Sequence, residues 1–471
     1  MKILLVQIIN PDRTQDAIIP TGLGYIAAYL RQEMDGVEIR IEQHNLEQVV
    51  KTFQPDLIGI SSVTQNYERA KQFSAWCKTY DEKIPTVIGG HHISALPGSM
   101  SADMDLAVIG EGEITMLEIC KTIQRSGMDF SALRKIDGIA YKDESGILHR
   151  ADPRTLIIDL DVLPFPARDL MRIVPGEAVG IMSSRGCPYH CTFCASRSFW
   201  GSVRFHSAEY VVREVKTVLE QLSPRHIYFW DDLFAAQRNR FKRIVSLLKE
   251  SGIPDRVRFS LNCRANLVDR ELVRFMSELN VFEVSLGLES FSPDVLSYLK
   301  DHVTVEDNWR AIELFNQANI RVMGFFIIGS PHETREDILQ TLDALKQADL
   351  HRAQAYILTP LPGTRVWDYA YQRGLVSEEM DWSRLYIDAP KDKHNGIVLS
   401  EVLEPAEIRD LLSLFQSARR RKELKILVTK VFYYVKQVLI EPRTVWALVK
   451  RSWRLQVYKI KDHVSRALAN S

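Results

Sequence analysis

Apolar runs separated by helix-period patterns organise the first 150 residues. The runs fall at residues 3–9, 37–41, 57–61, 86–89 and 106–109. This alternation predicts an α/β domain of the Rossmann-like (flavodoxin-like) kind, with a parallel sheet covered by helices on both faces. A second series begins at residues 180–183 and continues at 226–230, 257–261, 282–286, 322–328 and 354–358, again with helical stretches between. Six β/α units predict a partial (β/α)6 barrel of the TIM type, whose site lies at the carboxyl ends of its strands. Between the two series, Asp161-Val162-Leu163-Pro164-Phe165-Pro166 reads as a surface linker. The resulting boundaries are 1–150, a linker at 151–172, the barrel at 173–400 and a helical, basic region at 401–471.

Open parallel sheets bind ligands beyond the carboxyl ends of their strands. Three such ends in the first series are small and polar: Ser61-Ser62-Val63-Thr64, Gly89-Gly90-His91-His92 and Gly110-Glu111-Gly112-Glu113. Ordinary turn chemistry explains any one of them, whereas three in register favour a ligand. The candidate contacts are Ser61, Thr64, Gly89, Gly90, His92, Gly110, Glu111, Gly112 and Glu113.

Composition narrows the class. With 46% hydrophobic and 25% charged residues, the chain reads as globular. The apolar start meets Asn10-Pro11-Asp12 before a signal-peptide core is complete, so it reads as a buried strand. No uncharged apolar run reaches the roughly eighteen residues of a membrane span. Six cysteines are too few for a secreted disulfide scaffold, which favours a reducing cytoplasm.

Three of those cysteines crowd together in Cys187-Pro188-Tyr189-His190-Cys191-Thr192-Phe193-Cys194, directly after the first strand of the second series. Thiolates are soft ligands for zinc or iron–sulfur clusters. Structural zinc wants four ligands, and no fourth cysteine lies near; His190 is cramped. Three thiolates on a four-iron cluster leave one iron open to another ligand. A zinc-binding interaction module and a plain electron-transfer cluster remain the alternatives. Cys263 reads as a buried small apolar residue rather than a ligand.

The Cys-x-x-x-Cys-x-x-Cys spacing, with Phe193 before the last cysteine, resembles the signature of the radical S-adenosylmethionine (SAM) superfamily. The resemblance implies that Cys187, Cys191 and Cys194 hold a 4Fe–4S cluster. It also implies that the open iron chelates SAM, which is cleaved to a 5′-deoxyadenosyl radical. The later strand ends Asp231-Asp232, Asn262-Cys263-Arg264, Leu286-Gly287-Leu288-Glu289-Ser290 and Gly329-Ser330-Pro331-His332-Glu333-Thr334 resemble the superfamily's cofactor-contacting positions. Arg264, Glu289 and Gly329 are the candidates there, with a structural ion pair as the alternative for the two charged residues. Asp231 and Asp232 read as substrate-facing or solvent-facing.

An α/β domain ahead of such a barrel, with Pro20-Thr21-Gly22-Leu23-Gly24-Tyr25 and the glycine turns above, resembles the cobalamin-binding subgroup, over roughly residues 1–400. The Asp-x-His-x-x-Gly motif that supplies a histidine to cobalt in some cobalamin proteins is absent. His91 and His92 are candidate neighbours of the corrin, with a turn role as the alternative for each. The subgroup implies methyl transfer to an unactivated carbon after hydrogen abstraction, with ring contraction, cyclisation or oxidation as other outcomes. An electron donor such as flavodoxin or ferredoxin is implied as well. A first domain that has lost its cofactor is the alternative within the superfamily.

The net charge of zero hides an uneven distribution, because residues 419–471 hold fourteen Lys or Arg against three Asp or Glu. On a helical wheel Arg443, Lys450, Arg454 and Lys461 share one face, and Trp446, Val449, Trp453 and Ile460 another. That pattern predicts an interfacial helix with peripheral membrane contact, which makes a lipid-like substrate attractive; a solvated basic bundle face is the alternative. Basic strips interleaved with stacking aromatics do not occur in the catalytic segment, so nucleic acid is not expected as a partner.

Overall fold

The computed structural model describes residues 1–9, 19–174, 176–386 and 396–440, with side chains through residue 422. It divides into two compact units, Met1–Leu414 and Phe415–Ser471. Within the described residues the second unit is the continuation of one helix, Pro405–Ile440. The expected amphipathic segment at 443–461 lies outside the described residues. No described helix is long and apolar enough to cross a membrane.

The first unit carries two main sheets. The first contains β1 (Lys2–Gln7), β2 (Glu38–Glu42), β3 (Leu57–Ser61), β4 (Thr86–Gly89), β5 (Leu106–Val108), β6 (Ile139–Lys142) and β7 (Leu148–Arg150), in the order β2-β1-β3-β4-β5-β6-β7. β1 to β5 run parallel, and β6 and β7 add an antiparallel edge. The five parallel strands are those expected from the apolar runs. The β6–β7 hairpin was not foreseen: its strands span only four and three residues and give little periodicity to read. β1 and β3 are buried on both faces, as central parallel strands must be. Chain order reverses between β1 and β3, the point where open α/β sheets leave a crevice.

The second sheet holds β8 (Ala178–Ile181), β11 (His226–Phe229), β12 (Arg258–Cys263), β13 (Val281–Glu289), β14 (Arg321–Ile328) and β15 (Arg352–Ile357), all parallel and in simple sequence order. It is the expected partial barrel of six β/α units, open between β8 and β15. Two short strands, β9 (Ser184–Arg185) and β10 (Arg204–Phe205), pair antiparallel beside it and place Arg185 opposite Arg204.

Residues 151–172 are not the loose surface linker expected from their prolines. Leu160, Leu163, Ala167 and Met171 are buried, and Leu160 and Leu163 pack with Tyr25 of the helix Thr21–Glu33. Buried Arg168 reaches the wholly buried Glu214 at 2.5 Å. Pro164 and Pro166 sit between buried Leu163 and Ala167, so this part of the segment is a strap packed on the fold.

Candidate functional site

A cleft of about 420 Å³ lies beyond the carboxyl ends of the first sheet. Ser61, Ser62, Gly89, Gly90, His91, Gly110, Glu111, Gly112 and Glu113 form one side of it. The start of the helix Thr21–Glu33 adds Thr21, Gly22, Tyr25 and Ile26. The opposite wall comes from the barrel half: Met182, Arg185, Phe199, Trp200 and Trp230. Small residues on one wall and broad apolar ones on the other suit a large, flat ligand approaching backbone closely.

Seven of the nine residues expected in this domain therefore line one space. Thr64 and His92 do not. His92, 1% exposed, shares hydrogen bonds with Thr64 Oγ1 at 3.2 Å and Ser99 Oγ at 3.0 Å, and packs between Tyr67 and Trp382. Burial, helped by Lys71, pushes its pKa down to about 3, so it is a neutral core residue. One step along the chain turns a side chain to the other face, and His91 is the histidine that lines the cleft, edge-on to Phe199 at 4.0 Å.

Glu111 and Glu113 line the cleft but are engaged by arginines. Glu113 Oε1 meets Arg185 Nη2 at 2.5 Å, Glu111 Oε2 meets Arg204 Nη1 at 2.7 Å, and Glu111 also binds Arg185. All four side chains are buried. Burial opposes ionisation of Glu111, yet Arg185 and Arg204 outweigh it and hold its pKa below the usual carboxylate range. Burial likewise opposes the charge on Arg185, and Glu113 and Glu111 reverse the effect. These carboxylates are ion-pair partners, with little capacity left for a ligand.

The three clustered cysteines follow β9 directly. Cys187 and Cys191 are half-buried and Cys194 is exposed, all with free thiols. The loop is pinned by Thr192 N donating to Leu299 O at 3.0 Å, Cys194 N to Cys191 O at 3.2 Å, and His190 N to the Asp301 carboxylate at 3.2 Å. Desolvation by surrounding protein raises the Cys187 thiol, and Asp232 and Cys191 push the same way. A bound metal would deprotonate these thiols. Among the described residues no three His, Cys, Asp or Glu side chains converge as on a single metal ion. Three soft thiolates without a fourth ligand fit a cluster with one open corner.

Arg264 donates to Cys191 Sγ at 3.1 Å, lies 3.7 Å over the Tyr189 ring and pairs with Asp301 at 3.0 Å. Glu289 is buried at φ 56°, beside a register shift in β13, with Lys300 Nζ at 3.5 Å. Burial raises the Glu289 pKa, with Lys300 and then Arg264 acting against it. Arg264 thus stands at the cysteine loop, and both residues have ion-pair partners, Asp301 and Lys300, that carried no signal in the sequence. Gly329 begins a turn in which Glu333 Oε2 accepts from the amides of Gly329 at 2.5 Å and Ser330 at 2.9 Å. Asp231 is neither substrate-facing nor solvent-facing: wholly buried, it accepts from Ser183 N at 3.1 Å and Ser183 Oγ at 2.8 Å, and from Ser184, fixing the turn into β9. Asp232 is exposed and accepts from Ser196 Oγ at 2.5 Å. Phe199, Trp200 and Arg185 were missed as cleft residues; the only signal was their nearness to the cysteines in the chain.

Comparison with known proteins identifies both halves of the chain. The radical SAM superfamily model matches residues 181–345, and the B12 binding domain model matches residues 13–120. An uncharacterised methyltransferase of Pyrococcus horikoshii is 30% identical over 406 residues, covering 82% of this chain and 86% of the relative. Cytidylyl-2-hydroxyethylphosphonate methyltransferase of Streptomyces wedmorensis is 26% identical over 456 residues, covering 81% and 84%. Among solved structures, the radical SAM methyltransferase TsrM of Kitasatospora setae, with cobalamin and a [4Fe-4S] cluster bound, superposes at a TM-score of 0.68 with 18% identity, covering 88% of each chain. That last likeness is one of fold. Together with the matched domains, the extent of the first relative shows that the chain belongs to the radical SAM superfamily, among its B12-dependent methyltransferases.

Proposed function

We propose that this protein is a cobalamin-dependent radical SAM C-methyltransferase acting on an unactivated carbon of a hydrophobic, lipid-like small molecule. The observation that carries the reading is the placement of a cleft of small strand-end residues directly across Met182, Arg185, Phe199 and Trp200 from the loop bearing three free thiols. In this reading residues 1–150 hold cobalamin and residues 173–400 hold the 4Fe–4S cluster on Cys187, Cys191 and Cys194. When bound, these groups supply reductive cleavage of SAM, hydrogen abstraction by the resulting 5′-deoxyadenosyl radical, and a transferable methyl group.

The chain's own residues position and shield. Ser61, Gly89, Gly90, Gly110 and Gly112 let a corrin approach the backbone. Trp200 and Phe199, with ring centroids 4.8 Å apart, cover the cleft from the cluster side and exclude water. Arg264, fixed by Asp301 and Tyr189, holds positive charge beside the cluster loop, where the carboxylate of SAM would need it. Half-exposed positions on the second sheet include the apolar or aromatic Tyr228, Met323, Phe325 and Tyr356, with Phe325 stacked on Tyr356 at 6.1 Å, and the polar Asn262, Ser285 and Gln354. The aromatic rings among them support an apolar reacting portion of the substrate.

The test is anaerobic reconstitution with iron, sulfide and hydroxocobalamin. The enzyme would be reduced by flavodoxin or ferredoxin and incubated with methyl-labelled SAM and cell extract separated into lipid and aqueous fractions. Label is expected in the lipid fraction. Label confined to the aqueous fraction overturns the lipid reading, and 5′-deoxyadenosine accumulating without label in either fraction overturns methyl transfer.

A further inference from the structure

The buried charges between cleft and cysteines are arranged for more than cohesion. Arg185 and Arg204 stand opposite each other across β9 and β10, a like-charged pair that would repel if left alone. Glu111 bridges both guanidiniums and Glu113 takes the other side of Arg185. Exposures of 5% for both arginines, 8% for Glu111 and 4% for Glu113 remove the screening that makes surface pairs weak. Arg185 is further held between the rings of Tyr25 and Trp200, 5.5 and 5.4 Å from their centroids. The carboxylates flank Gly112 in the turn that lines the cleft. On the other side, one residue, Gly186, separates Arg185 from Cys187, so the peptide geometry passes a displacement of Arg185 directly to that cysteine.

We infer that Arg185, Arg204, Glu111 and Glu113 are positioning residues: a latch that fixes the cluster loop relative to the cleft turn, and so sets the separation of the two cofactors. The inference rests on the cofactor assignment proposed above. It also ranks the four members. Glu111 serves both arginines and Glu113 only one, so neutralising Glu111 leaves two like charges less restrained, whereas neutralising Glu113 leaves the bridge standing.

The test compares wild type, Glu111→Gln, Glu113→Gln and Arg185→Lys as full-length protein with cluster and hydroxocobalamin, by two measurements. Hydrogen–deuterium exchange follows residues 186–194, and pulsed electron paramagnetic resonance reads the dipolar coupling between paramagnetic Co(II) and the reduced cluster. For Glu111→Gln, exchange confined to residues 186–194 and the cleft turn is expected to rise about tenfold, the size of local opening, and the dipolar splitting to broaden. Glu113→Gln should change less. Arg185→Lys, which keeps charge but loses the two-pronged donor, should fall between Glu111→Gln and wild type. Unchanged exchange at 186–194 in Glu111→Gln overturns the latch. So does a rise spread evenly over the chain, which marks general destabilisation. Failure of wild type to take up hydroxocobalamin would count against the cofactor assignment, while the exchange measurement still decides the latch.

Discussion

Adding one methyl group at Gly90 tests how the cleft is built. Gly90 sits at φ 105° and ψ −177°, a region essentially closed to residues with a Cβ, at a cost of about 1–3 kcal/mol. The new Cβ would lie 2.5 Å from Ser62 O and 3.3 Å from Ser62 N, so it meets backbone that cannot rotate away. Ser62 N donates to Gly89 O at 3.3 Å, the bond that joins the two cleft turns at this point. Forcing them apart adds an overpacking cost of about 1–3 kcal/mol, and the two effects together bring Gly90→Ala to about 2–6 kcal/mol. Gly110→Ala is the matched control. Its φ is 80°, but nothing lies within 4 Å of the added carbon, which leaves only the backbone cost of about 1–2 kcal/mol. Denaturant unfolding of both variants gives the comparison, and hydroxocobalamin titration followed by visible absorbance gives the effect on the cleft. The affinity loss should be about tenfold or more for Gly90→Ala if at least 1.4 kcal/mol of the cost falls on the bound geometry. Because Gly110 itself lines the cleft, the two variants are compared by stability, and equal destabilisation would refute the argument that Ser62 backbone contact defines the cleft wall.

Two further outcomes are expected. His92 is neutral in the fold with a pKa near 3, against 6.5 for a free imidazole, so between those values the unfolded chain binds a proton that the folded chain does not. Its contribution to stability is therefore complete above pH 6.5 and is lost as pH falls toward 3, at a slope of at most about 1.4 kcal/mol per pH unit; unfolding midpoints of His92→Gln measured across that window should fall less steeply than those of wild type. Serine at Cys187, Cys191 or Cys194 should abolish bound iron and sulfide, whereas Cys263→Ala, at a buried free thiol, should keep both and cost about 1 kcal/mol in stability; iron analysis after anaerobic reconstitution reads the difference, and iron retained by any of the three serine variants would count against that residue as a ligand.

The sequence by itself determined the parallel strands of both sheets and the clustering of three thiols in one loop. The five parallel strands of the first sheet and all six of the second follow from local apolar runs, continuous where both faces are buried, as in β1 and β3, and alternating where one face is open, as in β2. The cysteine spacing is equally local, since one short loop carries all three thiols. Tertiary structure decided which face each neighbouring residue takes. His91 and His92 have identical side chains in adjacent positions, yet one lines the cleft and the other joins Thr64, Tyr67 and Trp382 in the core. It also decided what partners the charges have. Glu111 and Glu113 read as ligand contacts until folding brings Arg185 and Arg204 to them from more than seventy residues away. Lys300 and Asp301 acquire their roles beside Glu289 and Arg264 in the same way. Pairing of that kind depends on distance in space, and a one-dimensional pattern carries no record of it.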